Sequence, residues 1–230
     1  MRALQKAGGV AALIAAATFV VGLVMFATVL IDYTTADDPR VAVAFLVDNR
    51  VPLHVWNLLI TIVFGVALAP LVLALHERVK GTSLVLARTA TVFGLIWSGL
   101  IIATGMIVNI GFGTVVDLNE SDPEMAATVW SAVDSVANGL GGGNELVGGL
   151  WVLLFSVAAL QAGWLPRGLN WFGAVIGVAG LVTLVPQLEP VGAIFGLGLI
   201  VWFVWVGITM LRGASPAIAG SRELGTAPSA

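Results

Sequence analysis

The chain has 230 residues, 59% of them hydrophobic and 10% charged, against about 45 to 50% and about 25% in a soluble domain, which excludes a soluble globular protein. A formal charge of -3 and ten scattered basic residues leave no basic patch for nucleic acid. The absence of Cys removes disulfides, thiolate nucleophiles and Cys-ligated metal.

Arg2 and Lys6 precede the first apolar run, Gly8 to Ile31. It is too long for the apolar region of a secretion signal and reads as an uncleaved first span. The first outer loop then offers Asp38 as a helix cap and Pro39 as the first helical residue of a short helix to about Asp48. Val55 to Leu75 and Leu84 to Ile110 are the second and third spans, each near the roughly 20 residues that a ~30 Å hydrocarbon core requires.

In the second outer loop, Ser121, Asp122, Pro123 and Glu124 match the capping box, so a helix is expected there with Ser121 as its cap. Met125, Val129, Val133, Val136 and Leu140 recur at helical spacing and predict an apolar stripe that can lie on the membrane or on the bundle, with Asp134 on a polar face. Gly139 to Gly143 contains four glycines, each costing a helix about 1 kcal/mol relative to Ala, so a bend is expected before the fourth span. That span is Leu146 to Ala162, and Leu169 to Pro186 and Val191 to Leu211 complete six.

The expected fold is therefore an all-α membrane protein, a six-transmembrane-helix bundle over residues 1–212 with short amphipathic helices in its outer loops. Residues 213–230 read as a disordered cytoplasmic tail. Both termini in the cytoplasm of a multi-pass cell-membrane protein would put eight of the ten Lys and Arg inside and eleven of the thirteen acids outside, as the positive-inside rule requires. Trp97, Trp202 and Trp205 fall mid-span and read as packing bulk. Small residues spaced by four, Gly94 with Ser98, Gly173 with Gly177 and Gly192 with Gly196, predict close helix approach. Gly173, Gly177, Gly192 and Gly196 could serve the bundle itself, a second copy or another membrane protein.

At ~1.5 Å per residue, His54, Asn109 and Glu145 lie about 27 to 33 Å from the inner boundary, at the outer edge of the core. With Asn57, Asn144 and Gln187 they form a polar belt at one level. Two readings are open: an outward-facing pocket in which Glu145 carries the charge, because ionisable groups at membrane depth are costly and often functional, or helix ends that simply meet water. Arg50, just above the second span, is the nearest candidate to pair with Glu145.

Catalytic signatures fail one by one. The topology separates the only two His, His54 and His76, so they cannot share a metal or a haem. His76-Glu77-Arg78-Val79-Lys80 opens like a zinc-protease motif but has Lys80 where the second His must stand. No Lys lies in a span to form a Schiff base, and the glycine run lacks the Lys-Ser/Thr ending of a phosphate loop. The reading is of no enzyme, no cofactor and no metal, with the lipid bilayer as the partner. A small transporter or channel and a membrane subunit or regulator are the alternatives.

The stretch from Gly163 to Gly173, Gly-Trp-Leu-Pro-Arg-Gly-Leu-Asn-Trp-Phe-Gly, resembles the inner-loop signature of a bacterial family of six-span membrane proteins catalogued as domain of unknown function 4386. The resemblance implies six spans and an acidic first outer loop. It carries no established activity and no catalytic residue.

Overall fold

The structure, a computed structural model, describes residues 2–34, 38–81, 84–142 and 145–213. Asn144 and the tail from residue 214 onward lie outside them. Among the described residues the chain is helical: α1 (Arg2–Ala27), α2 (Ile31–Thr34), α3 (Pro39–Asp48), α4 (Arg50–Asn57), α5 (Phe64–Val79), α6 (Leu84–Asn119), α7 (Pro123–Ala137), α8 (Glu145–Ala162), α9 (Arg167–Val182) and α10 (Gly192–Gly213). A π-helical stretch, Leu58–Val63, joins α4 to α5, so Arg50–Val79 runs as one helix. Ile60, Thr61, Ile62 and Val63 in that stretch are all β-branched, a run that crowds a regular α-helix.

Five helical segments are long and apolar enough to cross a membrane: α1, Arg50–Val79, α6, the segment containing α8, and α10. The expected fifth span differs. Its helix α9 has 16 residues, about 24 Å at the α-helical rise, and a 3₁₀ segment, Pro186–Val191, follows it. The third helix also differs, since α6 runs on to Asn119. At 36 residues it is about 54 Å long and overshoots a ~30 Å hydrocarbon core. Many large apolar side chains are exposed on the flanks, Val66, Val85, Met106 and Ile110 among them. Such a surface is stable against lipid and not against water.

Six helices pack in a closed ring, α1 on α5, α5 on α6, α6 on α8, α8 on α9, α9 on α10, and α10 back on α1. Small residues set the closest approaches. A Cβ on Gly177 would lie 2.8 Å from the Gly149 carbonyl oxygen, and one on Gly149 would lie 2.8 Å from that of Gly177. Gly173 likewise faces Ser156 and Trp202 of its own bundle. Gly192 makes only ordinary contacts from 3.5 Å and Gly196 meets nothing within 4 Å, so of these two expected pairs only the one on α9 is tightly packed. Gly94 abuts Val72 and Trp151, and Ser98 donates its hydroxyl to the Gly65 carbonyl at 2.7 Å.

One end of the ring is basic. Arg78 lies over the Trp164 ring at 4.9 Å, and Gln5 donates to the Met210 carbonyl at 3.0 Å. These contacts bring the start of α1, the end of α5, the α8–α9 turn and the end of α10 together. Gly163, at φ 63°, ends α8 with its N–H on the Ala159 carbonyl, a left-handed cap that suits glycine. Pro166 stands at the N-cap of α9.

The opposite end carries a cap with its own apolar core, in which Leu30, Val43, Leu46, Leu53, Phe112 and Trp130 are buried together. Asp38 caps α3 as expected, accepting from the Arg40 N–H at 2.9 Å. The cap of α7 is one residue later than expected: Asp122 accepts from the Met125 N–H at 3.0 Å, while Ser121 turns back to the Leu118 carbonyl. Glu124, released from a capping box, pairs with Arg40 at 3.0 Å and ties α7 to α3.

On α7, Ala126, Ala127, Trp130 and Ala137 are buried, whereas Met125 and Val136 of the apolar stripe are exposed. Val129 and Val133 pack partly buried on the cap core, Val133 against Gly111 of α6, and the Trp130 indole stacks on Phe112 at 5.3 Å.

Candidate functional site

Between the bundle core and the cap core lies a cavity of about 650 Å³, within the roughly 300 to 1,000 Å³ of small-molecule sites. Its position follows from where the helices are pinned. On the basic half, α1 and α10 touch backbone to side chain, with a Cβ on Gly9 3.2 Å from the Gly207 carbonyl and one on Gly207 2.9 Å from Leu13. On the other half, α1 turns its small face to the π-helical stretch instead: Gly22 sits against Ile60, and the Trp56 indole donates to the Gly22 carbonyl at 3.1 Å. Leu23 and Phe26 of α1 and Leu197 of α10 line the space left between them. All three are about half exposed, which places one side of the cavity on the flank of the molecule.

The floor is aromatic. Phe64 meets Phe19 at 5.0 Å, Trp97 at 5.2 Å and Phe203 at 6.0 Å, and Trp151 and Trp202 extend the layer at 5.7 and 5.5 Å. Trp97 and Trp202 are fully buried, as packing bulk should be, while Trp205 is 39% exposed. This layer closes the cavity toward the basic end.

Polar groups gather at the cap end. Asn57, 3% exposed, donates both amide hydrogens, to the Gly105 carbonyl at 3.1 Å and to Asn109 Oδ1 at 2.8 Å. Asn57 also lines the cavity, and with both hydrogens engaged its side chain has only acceptor capacity left. Thr61 donates to the Asn57 carbonyl one turn back, so the π-helical stretch and α6 hold the amide in place. Asp134 of α7, one turn beyond Trp130, and Glu145, in the first turn of α8, supply two carboxylates to the lining. Asp134 Oδ2 accepts from the Asn138 side chain at 2.9 Å. Tyr33 stands beside them, near Trp130. Burial foremost, and then the charge of Asp134, pushes its hydroxyl well above the usual tyrosine range, so it remains a donor.

The polar belt is thus partly assembled. Glu145 and Asn57 line the cavity and Asn109 supports Asn57. His54 and Gln187 are exposed and do not line it, and Asn144 is outside the described residues. His54 and His76 sit at opposite ends of one continuous helix, and His76 bonds Thr91 at 2.8 Å. Arg50 is exposed, and the ion pairs among the described residues are Arg40 with Glu124 and Lys80 with Glu77, so no Arg50 clasp forms on Glu145. Asp134, Tyr33 and Trp130 were not expected at the site. Trp130 and Asp134 are one turn apart on α7, a spacing that puts them side by side, whereas nothing in the sequence marks Tyr33 of α2 as their neighbour.

No curated protein and no solved structure matches the chain. The family model described as Domain of unknown function (DUF4386) matches residues 7–212. The match spans all six ring helices and the cap, and the chain belongs to that family of unknown function.

Proposed function

We propose that this is a six-span cell-membrane protein, with both termini in the cytoplasm, that binds a small lipophilic molecule from the outer side without transforming it. Membrane embedding rests on the five long apolar helices. The sixth crossing is assigned to α9, extended by the 3₁₀ segment that follows it, because α9 occupies a full place in the helix ring. The orientation rests on the basic end, which carries Arg2, Lys6, Arg78, Lys80, Arg88, Arg167 and Arg212, matched to the inner surface. The amphipathic helices α3 and α7 then form an external cap.

The single observation that carries the binding role is the 650 Å³ cavity, apolar over most of its wall with a few polar groups at one end, the usual build of a ligand pocket. The aromatic floor favours binding over conduction, since close-packed rings leave no route toward the basic end.

The test uses the purified full-length protein in nanodiscs and the neutral fluorophore N-phenyl-1-naphthylamine. Gly196 lines the cavity and has no neighbour within 4 Å of an added Cβ, so Gly196→Trp fills the space without a clash. Saturable fluorescence above that of empty nanodiscs is expected for the native protein, with about tenfold weaker binding in Gly196→Trp at an unchanged melting temperature. Equal binding by the two proteins, or no saturable signal in either, would refute the reading.

A further inference from the structure

We propose that the molecule held in this cavity is a lipophilic cation, an amine or quaternary ammonium or phosphonium carried on an apolar body. The proposal rests on the binding role assigned above to the same cavity and names its ligand class.

The lining contains two carboxylates, Asp134 and Glu145, and no Lys, Arg or His. Neither carboxylate is in an ion pair among the described residues. Elsewhere in the cap an acid does find a basic partner, as Glu124 finds Arg40 at 3.0 Å. The two that face the cavity are left with acceptor capacity, since the Asn138 amide occupies one oxygen of Asp134. Asn57, which also lines the cavity and is 97% buried, has both amide hydrogens engaged by the Gly105 carbonyl and Asn109 Oδ1, so what its side chain has left to offer a ligand is an acceptor oxygen. Carboxylates and an amide oxygen together attract a positive charge and repel a negative one.

The walls agree by independent chemistry. Phe19, Phe26, Tyr33, Trp56, Phe112 and Trp130 all line the cavity. Aromatic faces carry negative quadrupole density, and a cation over them gains energy that a neutral or anionic group does not. Tyr33, Phe112 and Trp130 form a connected set, with ring centroids 5.3 and 6.5 Å apart, directly beside Asp134. The arrangement therefore sorts a ligand along its length. The apolar body lies against Leu23, Ile60, Leu197 and Ile200, and the charged centre lies among the aromatics and carboxylates.

Tetraphenylphosphonium and tetraphenylborate test the proposal, being nearly identical in size and shape and opposite in charge. The full-length protein in a neutral maltoside is titrated with each ion, and with neutral N-phenyl-1-naphthylamine as the reference. Tetraphenylphosphonium is expected to bind at least about tenfold more tightly than tetraphenylborate. The double variant Asp134→Asn, Glu145→Gln should lose that preference, with the ratio of the two ions' affinities falling to within about twofold of one, and an unchanged melting temperature and a single size-exclusion peak show that it is folded. Should the double variant fail to fold, the single variant Glu145→Gln is expected to narrow the preference about threefold. Neutral-probe binding without discrimination between the ions, or discrimination that survives loss of both carboxylates, overturns the cation assignment and leaves the cavity reading standing. Failure of the neutral probe and both ions to bind overturns both.

Discussion

Helices α8 and α9 meet backbone to backbone, and that makes their contact a sharp place to perturb. At Gly177 an added Cβ would stand 2.8 Å from the Gly149 carbonyl oxygen and 2.8 Å from the Leu153 nitrogen. Backbone atoms within a helix cannot swing aside as a side-chain tip can, so α8 and α9 must separate to admit any side chain. Overpacking of this kind costs about 1 to 3 kcal/mol for added methylenes. Helix propensity offsets about 1 kcal/mol of it, because Gly is the worst helix former after Pro. For Gly177→Leu, whose four carbons all need room, the cost is placed at about 3 kcal/mol, the upper end of the overpacking range, and the net loss at about 2 kcal/mol. At about 2 to 4 °C per kcal/mol for a chain of this size, the melting temperature in detergent should fall by about 4 to 8 °C. Gly196→Ala is the control: it meets nothing within 4 Å, gains the propensity term and should melt at or slightly above the native temperature. A Gly177→Leu protein that melts with the native one would refute the direct backbone contact between α8 and α9.

Two further outcomes follow from the cap and the charges. Asp122→Ala should remove the α7 cap and cost about 1 kcal/mol, seen as a melting drop of about 2 to 4 °C, whereas Ser121→Ala should change nothing; the reverse order would restore Ser121 as the cap. Reporters fused after Lys80 or Arg212 should be cytoplasmic and one within residues 117–124 external, and a cytoplasmic signal from the second site would invert the proposed orientation.

What could be read in advance was whatever depends on local chemistry. The apolar runs mark α1, α5, α6, α8 and α10 because a lipid-exposed helix must be apolar wherever it meets lipid. Asp38 and Pro39 mark the start of α3 because cap and first-turn preferences act within four residues. Depth counting along single helices put Glu145 and Asn57 at the level of the cavity, and Asn109 beside it. The errors arose where distance along the chain stops reporting position. His54 stands one turn before Asn57 and only about 60° round the helix from it, yet it is exposed where Asn57 is buried, because the neighbouring helix covers one residue and not the other. Asp134 is exposed, as its place on the polar face of α7 implies, and also lines the cavity; helical spacing shows that face and not which neighbouring element stands opposite it. Of the apolar stripe, Val129 and Val133 pack on the cap core while Met125 and Val136 are exposed, and the buried positions of α7 are Ala126, Ala127, Trp130 and Ala137.

The same competition between small and large residues accounts for the cavity itself. On the basic half of the molecule, Gly8 and Gly9 of α1 lie against Met210 and Leu211 of α10, and Gly207 of α10 lies against Leu13 of α1, so the two helices approach closely. Directly above, Phe19, Phe64 and Phe203 meet edge to face or tilted at 5.0 to 6.2 Å and wedge the helices apart by the thickness of their rings. Above that layer the small residues are no longer opposed: Gly22 of α1 packs on Ile60 while Gly196 of α10 faces open space. A helix pair closed by glycines below and spread by aromatics above must diverge, and the divergence is held by the cap, whose Trp130 and Tyr33 reach down to line the gap. The cavity is therefore built into the order of residue sizes along α1 and α10, and substitutions that reverse that order, large below or small above, are the ones that should abolish it.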